Sequence, residues 1–298
     1  LVLENISVGF KLPQGVFYAV DDVSLNLPGG NFTAIVGESG CGKSVLGQAI
    51  LNILPSGVVK KGRVLYNGEQ VEKILTAFGI IPQNPSESLN PVRKIGKQMQ
   101  DILDVHKIAD SDNSYKKQCL HLFGLQEAER VMAAYPHELS GGMLQRVLCA
   151  MAVSSKPEWV LADEPTKGLD EQVGAVVRKN LLTIKLDLHL SMLIITHDIA
   201  LAQEVCDDVL VMYAGQVLEH NADIWHKPLH PYTKGFLQAL PKNGLQVIPG
   251  KAPVPGESFT GCKFAARCPY CTTRCKEEMP AMQQVGNAEV RCFLYAEG

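Results

Sequence analysis

A glycine-rich loop between a strand pattern and a helix pattern constrains this chain more than any other feature. The apolar run Phe32–Val36 favours a β-strand, and a helical pattern follows the loop. Between the two stand Gly37, Glu38, Ser39, Gly40, Cys41, Gly42, Lys43 and Ser44. Glycines let the backbone curl so that successive N–H groups point at phosphate oxygens, and the helix N-terminus adds partial positive charge. The loop therefore predicts a phosphate-binding site; a plain glycine-rich turn with an exposed lysine is the alternative.

The polar residues at the end of this loop suit a nucleotide. In such loops the lysine reaches the β and γ phosphates, and the hydroxyl that follows it ligates Mg²⁺. We expect Lys43 and Ser44 to have these roles, with ATP and Mg²⁺ as the ligands.

A second motif places acidic residues at the end of an apolar strand. The run Val160–Ala162 leads directly into Asp163 and Glu164. One carboxylate at such a strand end can hold the metal ion, and a second can polarise an attacking water molecule. We expect Asp163 to contribute to Mg²⁺ binding and Glu164 to act as general base or to orient the water. Ordinary solvated surface is the alternative for an acidic strand end taken alone.

Strand and helix patterns alternate along most of the chain. Short β-rich runs occur at 32–36, 159–162 and 192–195, each followed by a helical pattern. This alternation favours an α/β fold with a parallel sheet covered on both faces. The opening segment, with a Pro-Gly-Gly turn at 28–30, favours antiparallel strands instead. Residues 94–156 lack β-rich runs, which predicts several helices.

Composition excludes some classes of protein. The chain has 298 residues, 46% of them hydrophobic, which suffices for a sizeable core. Its formal net charge of −3 gives no strong field towards nucleic acid or anionic lipid, so we expect no nucleic-acid partner. The apolar runs fall far short of the roughly 20 residues that a membrane-spanning helix needs.

A third motif supplies a second anion site. In Leu139–Arg146, Ser140 can cap a helix, while Gly141 and Gly142 expose its first N–H groups. One nucleotide does not require two separate helix N-termini within one chain. The combination resembles the ATP-binding cassette (ABC) proteins, in which such a loop contacts the γ phosphate held by the partner subunit.

The resemblance extends to single positions over residues 1–228. Gln83 matches the glutamine that senses Mg²⁺ and the membrane partner, and His197 matches the histidine that contacts the γ phosphate. Asp170 matches the loop that crosses the dimer interface, and Phe10 matches the aromatic residue that stacks on adenine. Each residue also has a structural alternative: loop filler for Gln83, a strand-end histidine for His197 and a core aromatic for Phe10.

The ABC resemblance implies a P-loop NTPase cassette over residues 1–228. Its parts are a parallel-sheet core, an antiparallel β subdomain and a helical subdomain at about 90–156. Phe10 stands where a tyrosine is more usual, and it can still stack on a base. Lys167 stands where a small or hydroxyl residue is common, and its effect is not predicted. An ABC exporter or a soluble ABC ATPase shares these motifs. The exporter is usually fused to membrane helices, and the soluble proteins usually carry two cassettes or a long insertion.

Two stretches resemble the corresponding segments of peptide and nickel importers: residues 83–91, which begin with Gln83, and His230–Lys234, at the start of the C-terminal tail. Residues 229–298 form the predicted C-terminal extension, because prolines become frequent after residue 228. The resemblance implies a peripheral ATPase subunit on the cytoplasmic face of a bacterial membrane. Its partners would be a second homologous ATPase, two permease subunits and an extracytoplasmic substrate-binding protein. The cysteine extension favours peptides as cargo, whereas the variant Gly142–Gln145 resembles nickel-type subunits.

The nine cysteines fall into two groups. Cys41, Cys119, Cys149 and Cys206 stand mostly among apolar neighbours and are expected to be free thiols in the core. The other five lie in the last 37 residues: Cys262, Cys268, Cys271, Cys275 and Cys292.

So short a segment commonly needs a metal to hold it together, and four cysteines suit either zinc or an iron–sulfur cluster. A tail without metal is the third alternative. The resemblance implies a 4Fe-4S cluster on four of the cysteines, with Cys271 left over: Cys262, Cys268, Cys275 and Cys292.

Overall fold

The computed structural model describes residues 1–13, 15–70, 77–254 and 257–296. The strands are β1 (Val2–Leu12), β2 (Gly15–Asn26), β3 (Phe32–Gly37), β4 (Val59–Tyr66), β5 (Glu69–Gln70), β6 (Phe78–Ile81), β7 (Trp159–Asp163), β8 (Ser191–Ile195), β9 (Asp208–Tyr213), β10 (Gln216–Asn221), β11 (Gln283–Val285) and β12 (Ala288–Val290).

The α-helices are α1 (Lys43–Leu51), α2 (Pro85–Ser88), α3 (Ile95–Val105), α4 (Ser114–Leu122), α5 (Ala128–Ala133), α6 (Gly141–Ser154), α7 (Glu171–Leu186), α8 (Ile199–Val205), α9 (Pro231–Gln238) and α10 (Thr273–Glu277). Within the described ranges, no helix combines the length and the apolar character that crossing a bilayer requires.

The chain divides into two compact units. The first contains residues 1–28, 33–72 and 206–298, and the second contains residues 29–32 and 73–205.

The first unit holds two groups of paired strands. Strands β2, β1, β4 and β5 pair antiparallel in that order, so the antiparallel β subdomain is confirmed. In the second group β3 pairs parallel with β9, which pairs antiparallel with β10. All six residues of β3 are buried, as its apolar, β-branched sequence requires of a strand enclosed on both faces. This burial fixes the direction in which the chain enters the phosphate loop.

The second unit contains a parallel sheet and most of the helices. Strands β6, β7 and β8 pair in parallel, with Ile81 opposite Ala162 and Asp163 opposite Ile195. Helices α3 to α6 lie inside the stretch 90–156, as the missing β-rich runs predicted. The parallel sheet and the helical subdomain of the expected α/β fold are thus confirmed.

The C-terminal extension adds strands to the first unit. β12 pairs antiparallel with β10, and β11 pairs with β12. The fully buried carboxylate of Glu219 on β10 accepts hydrogen bonds from the backbone N–H of Leu229 at 2.9 Å and of His230 at 2.8 Å. The start of the extension is therefore tied to the strand before it, and the domain boundary after residue 228 stays a prediction.

Candidate functional site

The phosphate loop lies between β3 and α1, and its shape depends on glycine at two positions. Gly42 has φ 106°, and a Cβ there would lie 2.1 Å from the carbonyl oxygen of Ala19. A Cβ on Gly37 would lie 2.2 Å from the carbonyl oxygen of Met212. Any side chain at either position would push these neighbouring strands apart, so the backbone of the loop packs directly on the backbone of β2 and β9.

Lys43 begins α1 and folds over the loop. Its side-chain Nζ donates to the carbonyl oxygens of Gly37 at 3.0 Å and Glu38 at 3.2 Å. Lys43 is only 7% exposed, whereas Ser39, Gly40 and Ser44 are exposed. The loop thus presents exposed polar positions at a helix N-terminus beside one enclosed ammonium group, which suits a phosphate chain.

Cys41 lies inside the phosphate loop. It is buried, and burial raises the pKa of its thiol. Its side chain therefore serves packing rather than chemistry, as its apolar surroundings predicted.

Phe10 lies on β1 in the same unit as the loop. It is half-buried and stands opposite Phe17 of β2. Cross-strand partners project on the same face of a sheet, so these two aromatic rings share one surface. The part of Phe10 that stays exposed is available to a planar base, and its role in stacking on adenine stays a prediction.

Polar residues collect where β6, β7 and β8 end in the second unit. Gln83 follows β6, Asp163 ends β7 with Glu164 next to it, and His197 follows β8. Because these strands are parallel and adjacent, their carboxyl ends meet at one edge of the sheet. The structure thus brings these four predicted residues to the same edge.

Glu164 and His197 contact each other directly. The Oε2 atom of Glu164 lies 2.5 Å from Nδ1 of His197 and accepts a 3.4 Å hydrogen bond from its backbone N–H. Glu164 has φ 49°, in the left-handed region, and its backbone N–H donates a hydrogen bond to the carbonyl oxygen of Ile195 at 2.7 Å. Non-glycine residues held in this conformation concentrate at functional sites. The side chain is 12% exposed while that of His197 is 58% exposed, so the carboxylate faces a sheltered space beside an accessible imidazole.

Two residues near Glu164 and His197, namely Lys167 and Asp198, had no predicted role. The N–H of Lys167 donates to the carbonyl oxygen of Glu164 at 3.1 Å, while its side chain is exposed. Asp198 accepts from the hydroxyl of Thr166 at 3.1 Å and from the N–H of Leu201 at 3.0 Å. Asp198 therefore ties the turn after β7 to the start of α8, and its place directly after His197 was the available signal.

The third motif of the sequence, Leu139–Arg146, forms the N-terminus of α6. Ser140 is the N-cap and accepts a 3.3 Å hydrogen bond from the N–H of Met143. A Cβ added at Gly141 or Gly142 would meet nothing within 4 Å. In the same unit Asp170 caps α7 by accepting from the N–H of Val173 at 2.9 Å. Their proposed contacts across a dimer stay predictions.

Four of the five cysteines of the extension line one cavity of about 160 Å³: Cys262, Cys268, Cys275 and Cys292. Its wall also includes Phe264 and Phe293, while Cys271 does not line it. Burial, with a smaller contribution from the other three lining thiols, raises the pKa of the Cys262 thiol to about 11. The four cysteines thus line one partly apolar space.

Four thiols around one cavity form a donor set that either a zinc ion or a 4Fe-4S cluster accepts. Across the described ranges, no three His, Cys, Asp or Glu side chains are close enough to hold one metal ion. The metal assignment therefore stays a prediction.

The cysteines outside the extension behave as predicted in three cases of four. Cys41, Cys119 and Cys149 are buried free thiols, and Cys206 is half-buried.

Two family matches cover different parts of the chain. Residues 20–167 match the ABC transporter family. Residues 218–275 match the C-terminal region of oligopeptide/dipeptide transporters.

Relatives match over almost the whole chain. Oligopeptide transport ATP-binding protein OppD of Haemophilus influenzae is 35% identical, with 100% of this chain and 98% of the relative covered. Dipeptide transport ATP-binding protein DppD of Escherichia coli is 35% identical, with 96% and 94% covered. Among solved structures, the ATP-binding cassette MJ0796 bound to ADP and Pi superimposes with a TM-score of 0.62 at 26% identity, covering 74% of this chain and 97% of that one.

The chain belongs to the ABC transporter family of ATPases and, within it, to the oligopeptide/dipeptide transport ATP-binding proteins.

Proposed function

We propose that this chain hydrolyses ATP to power the import of dipeptides and oligopeptides across a bacterial cytoplasmic membrane. The observation that carries the proposal is the match of residues 218–275 to the C-terminal region of oligopeptide/dipeptide transporters. The relatives named as peptide transport ATP-binding proteins match this chain over 94% or more of their own length. The nickel alternative is supported only by the variant Gly142–Gln145.

The phosphate loop supplies nucleotide binding in this proposal. Its exposed positions and the N-terminus of α1 receive the phosphates, and Lys43 exchanges its carbonyl partners for phosphate oxygens. The residues assigned to Mg²⁺ carry a hydroxyl, an amide and a carboxylate, which are the hard oxygen ligands this ion prefers: Ser44, Gln83 and Asp163. Bound Mg²⁺ would neutralise charge on the phosphates.

The edge of the parallel sheet supplies the chemistry. Glu164 is sheltered and is held by a strained backbone and by His197, so its carboxylate is fixed in place before a substrate arrives. A fixed carboxylate can orient a water molecule and take its proton as that water attacks the γ phosphate. His197 positions the carboxylate and offers its exposed ring to the phosphate.

The open N-terminus of α6 supports assembly with a second ATPase. Ser140, Gly141 and Gly142 leave space for a phosphate that this chain's own loop does not need. We therefore propose that a homologous subunit supplies that phosphate and that two permease subunits anchor the pair. A separate extracytoplasmic binding protein would deliver the peptide. In this proposed assembly the chain is a peripheral subunit on the cytoplasmic face of the membrane.

Uptake by the assembled complex tests the proposal. Liposomes containing the permease, the partner ATPase and this chain, supplied with the binding protein and ATP, should accumulate labelled dipeptide and pentapeptide but not Ni²⁺. Glu164→Gln should keep ATP binding and slow turnover by about 100-fold or more, the usual contribution of a general base. Accumulation of Ni²⁺ without peptide, or wild-type turnover by the variant, would contradict the proposal.

We also propose a 4Fe-4S cluster on Cys262, Cys268, Cys275 and Cys292. The cavity that these four thiols line supports it, and the bound cluster would hold the extension together. Chain purified without oxygen should contain about four irons and four sulfides and absorb visible light. Cys268→Ser should lose the iron, while Cys271→Ser, outside the cavity, should keep it. Bound zinc in place of iron, or loss of iron from both variants alike, would refute the assignment.

A further inference from the structure

The C-terminal extension contacts the phosphate loop through one arginine. The Nη1 atom of Arg267 lies 3.1 Å from Oε1 and 3.2 Å from Oε2 of Glu38, the second residue of the loop. The side chain of Arg267 is 7% exposed and that of Glu38 is 29% exposed. The pair is therefore enclosed and is not an ordinary surface ion pair.

Arg267 is held in place from several sides. Its Nε donates to the carbonyl oxygen of Pro249 at 3.1 Å, and its Nη1 also donates to the hydroxyl of Tyr213 at 3.3 Å. The guanidinium lies 5.7 Å from the ring centre of Tyr213 and 6.0 Å from that of Phe264. Its position is fixed by the packing around it, so its charge stays beside the loop.

The backbone of Glu38 is bound by the extension as well. Its N–H donates to the hydroxyl of Tyr232 at 3.1 Å, and Tyr232 is fully buried. The N–H of Tyr232 in turn donates to Nδ1 of His230 at 3.0 Å. The extension thus holds both the main chain and the side chain of one loop residue, and this amide is committed to the tyrosine.

The sign of the charge at Glu38 makes this contact consequential. A carboxylate inside a loop that receives a triphosphate repels its ligand, and partial enclosure reduces screening of that repulsion. Arg267 places a fixed positive charge on the same carboxylate and cancels it. Without the guanidinium, the loop would keep its shape-determining glycines but carry an uncompensated negative charge.

We propose that Arg267 is a positioning residue for ATP binding, which neutralises Glu38 and orients the phosphate loop from the C-terminal extension. The inference rests on the proposed binding of nucleotide at residues 37–44. It gives the extension a direct role at this chain's own ATP site.

A charge rescue tests the inference. ATP with Mg²⁺ is titrated calorimetrically into the full-length chain and into the variant Arg267→Gln, for which we expect about a tenfold higher Kd from the uncompensated carboxylate. In the double variant Glu38→Gln/Arg267→Gln the repelling charge is gone, and Kd should return to within about twofold of wild type. Lys251→Gln, which removes an exposed cation from the same stretch of chain, is the matched control and should leave Kd unchanged.

The melting temperature measured without nucleotide distinguishes a positioning role of Arg267 in ATP binding from a purely structural role. Both Arg267 variants should melt below wild type, because each loses the hydrogen bonds to Tyr213 and Pro249, yet only the single variant should bind ATP more weakly. Equal weakening in the single and double variants, or wild-type Kd in the single variant, would overturn the inference and leave the proposed function standing. Failure of the wild-type chain to bind ATP would instead overturn the proposed function.

Discussion

The N-termini of α1 and α6 are both assigned to phosphate binding, yet they are built differently. At α1 the N-cap is Gly42 with φ 106° and no side-chain cap, and the loop before it packs on Ala19 and Met212. At α6 the side chain of the N-cap Ser140 accepts a hydrogen bond from the N–H of Met143 in its own helix, and the two glycines after it face open space. A supported loop with an enclosed lysine can bind a phosphate chain by itself. For the self-capped end of α6, we propose that the other parts of the phosphate site come from another molecule.

Replacing Lys43 should produce the largest difference in ATP binding between the N-termini of α1 and α6. Lys43→Ala is expected to weaken ATP binding by the isolated chain about 100-fold, because a charge-assisted contact to phosphate is lost. Ser140→Ala, the matched change at α6, should leave that affinity unaltered. Calorimetry on both variants decides the matter, and similar losses would mean that the two ends do not differ as described.

Adding one methyl group should distinguish the packing of the two ends. Gly42→Ala is expected to lower the free energy of unfolding by about 1–3 kcal/mol, because its backbone is left-handed and its Cβ meets Ala19. Gly141→Ala should leave that free energy unchanged or raise it by about 0.5 kcal/mol, as alanine favours a helix. Urea denaturation of both variants measures the two free energies of unfolding. Equal destabilisation would contradict the described difference in packing between the two helix ends.

A negative charge at the N-terminus of α6 should lower ATPase activity without lowering the stability of the chain. Gly141→Asp has room for its side chain and stabilises a helix N-terminus, so the melting temperature should not fall. The carboxylate would nevertheless repel the partner's phosphate, and ATPase activity of the assembled complex should drop about tenfold. ATP affinity of the isolated chain is the control and should stay constant. Full activity in the complex would show that this end meets no phosphate.

The smallest expected effect concerns the extension that supports the α1 end. Burial alone would lower the pKa of His220, but the carboxylates of Asp208 and Glu289, each 3.3 Å from one ring nitrogen, raise it above its usual value. The charged form therefore stabilises the pairing of β12 with β10 below about pH 6.5, and this contribution is lost as pH rises through the raised pKa.

Glu289→Gln removes one of these carboxylates. Because Glu289 is partly exposed, we expect its melting temperature to lie only about 1–2 °C below wild type at pH 6, with a smaller gap at pH 8.5. A gap independent of pH would exclude His220 as its cause.

The sequence predicted best what is decided locally. The strand before the phosphate loop, the helix after it and the cap Ser140 depend on neighbouring residues, and each was found where its motif placed it. The cap formed by Asp170 was not predicted. Parallel pairing then brought Glu164 and His197 together from a pattern of alternating strands and helices. Family resemblance was needed to give Gln83 and Phe10 a role, because a loop glutamine or a strand aromatic has many ordinary uses.

The contacts between distant parts of the chain could not be predicted. Arg267 and Glu38 lie 229 residues apart, and neither carries a pattern that points to the other. The pairing of β12 with β10 likewise depends on tertiary packing, since β12 is only three residues long. The cysteine spacing allowed several metals, and the family resemblance rather than the spacing selected the four cysteines that line one cavity.

The buried carboxylate of Glu219 has a practical consequence for anyone wishing to shorten the protein. A version ending at residue 228 would retain every ATP motif, yet it would lack the amides of Leu229 and His230 that this carboxylate binds. Enclosed anions deprived of their donors cost a domain several kcal/mol, a large share of the stability that proteins possess. Such a truncation is therefore expected to yield aggregated material, and biochemical work on the cassette should begin from the intact polypeptide.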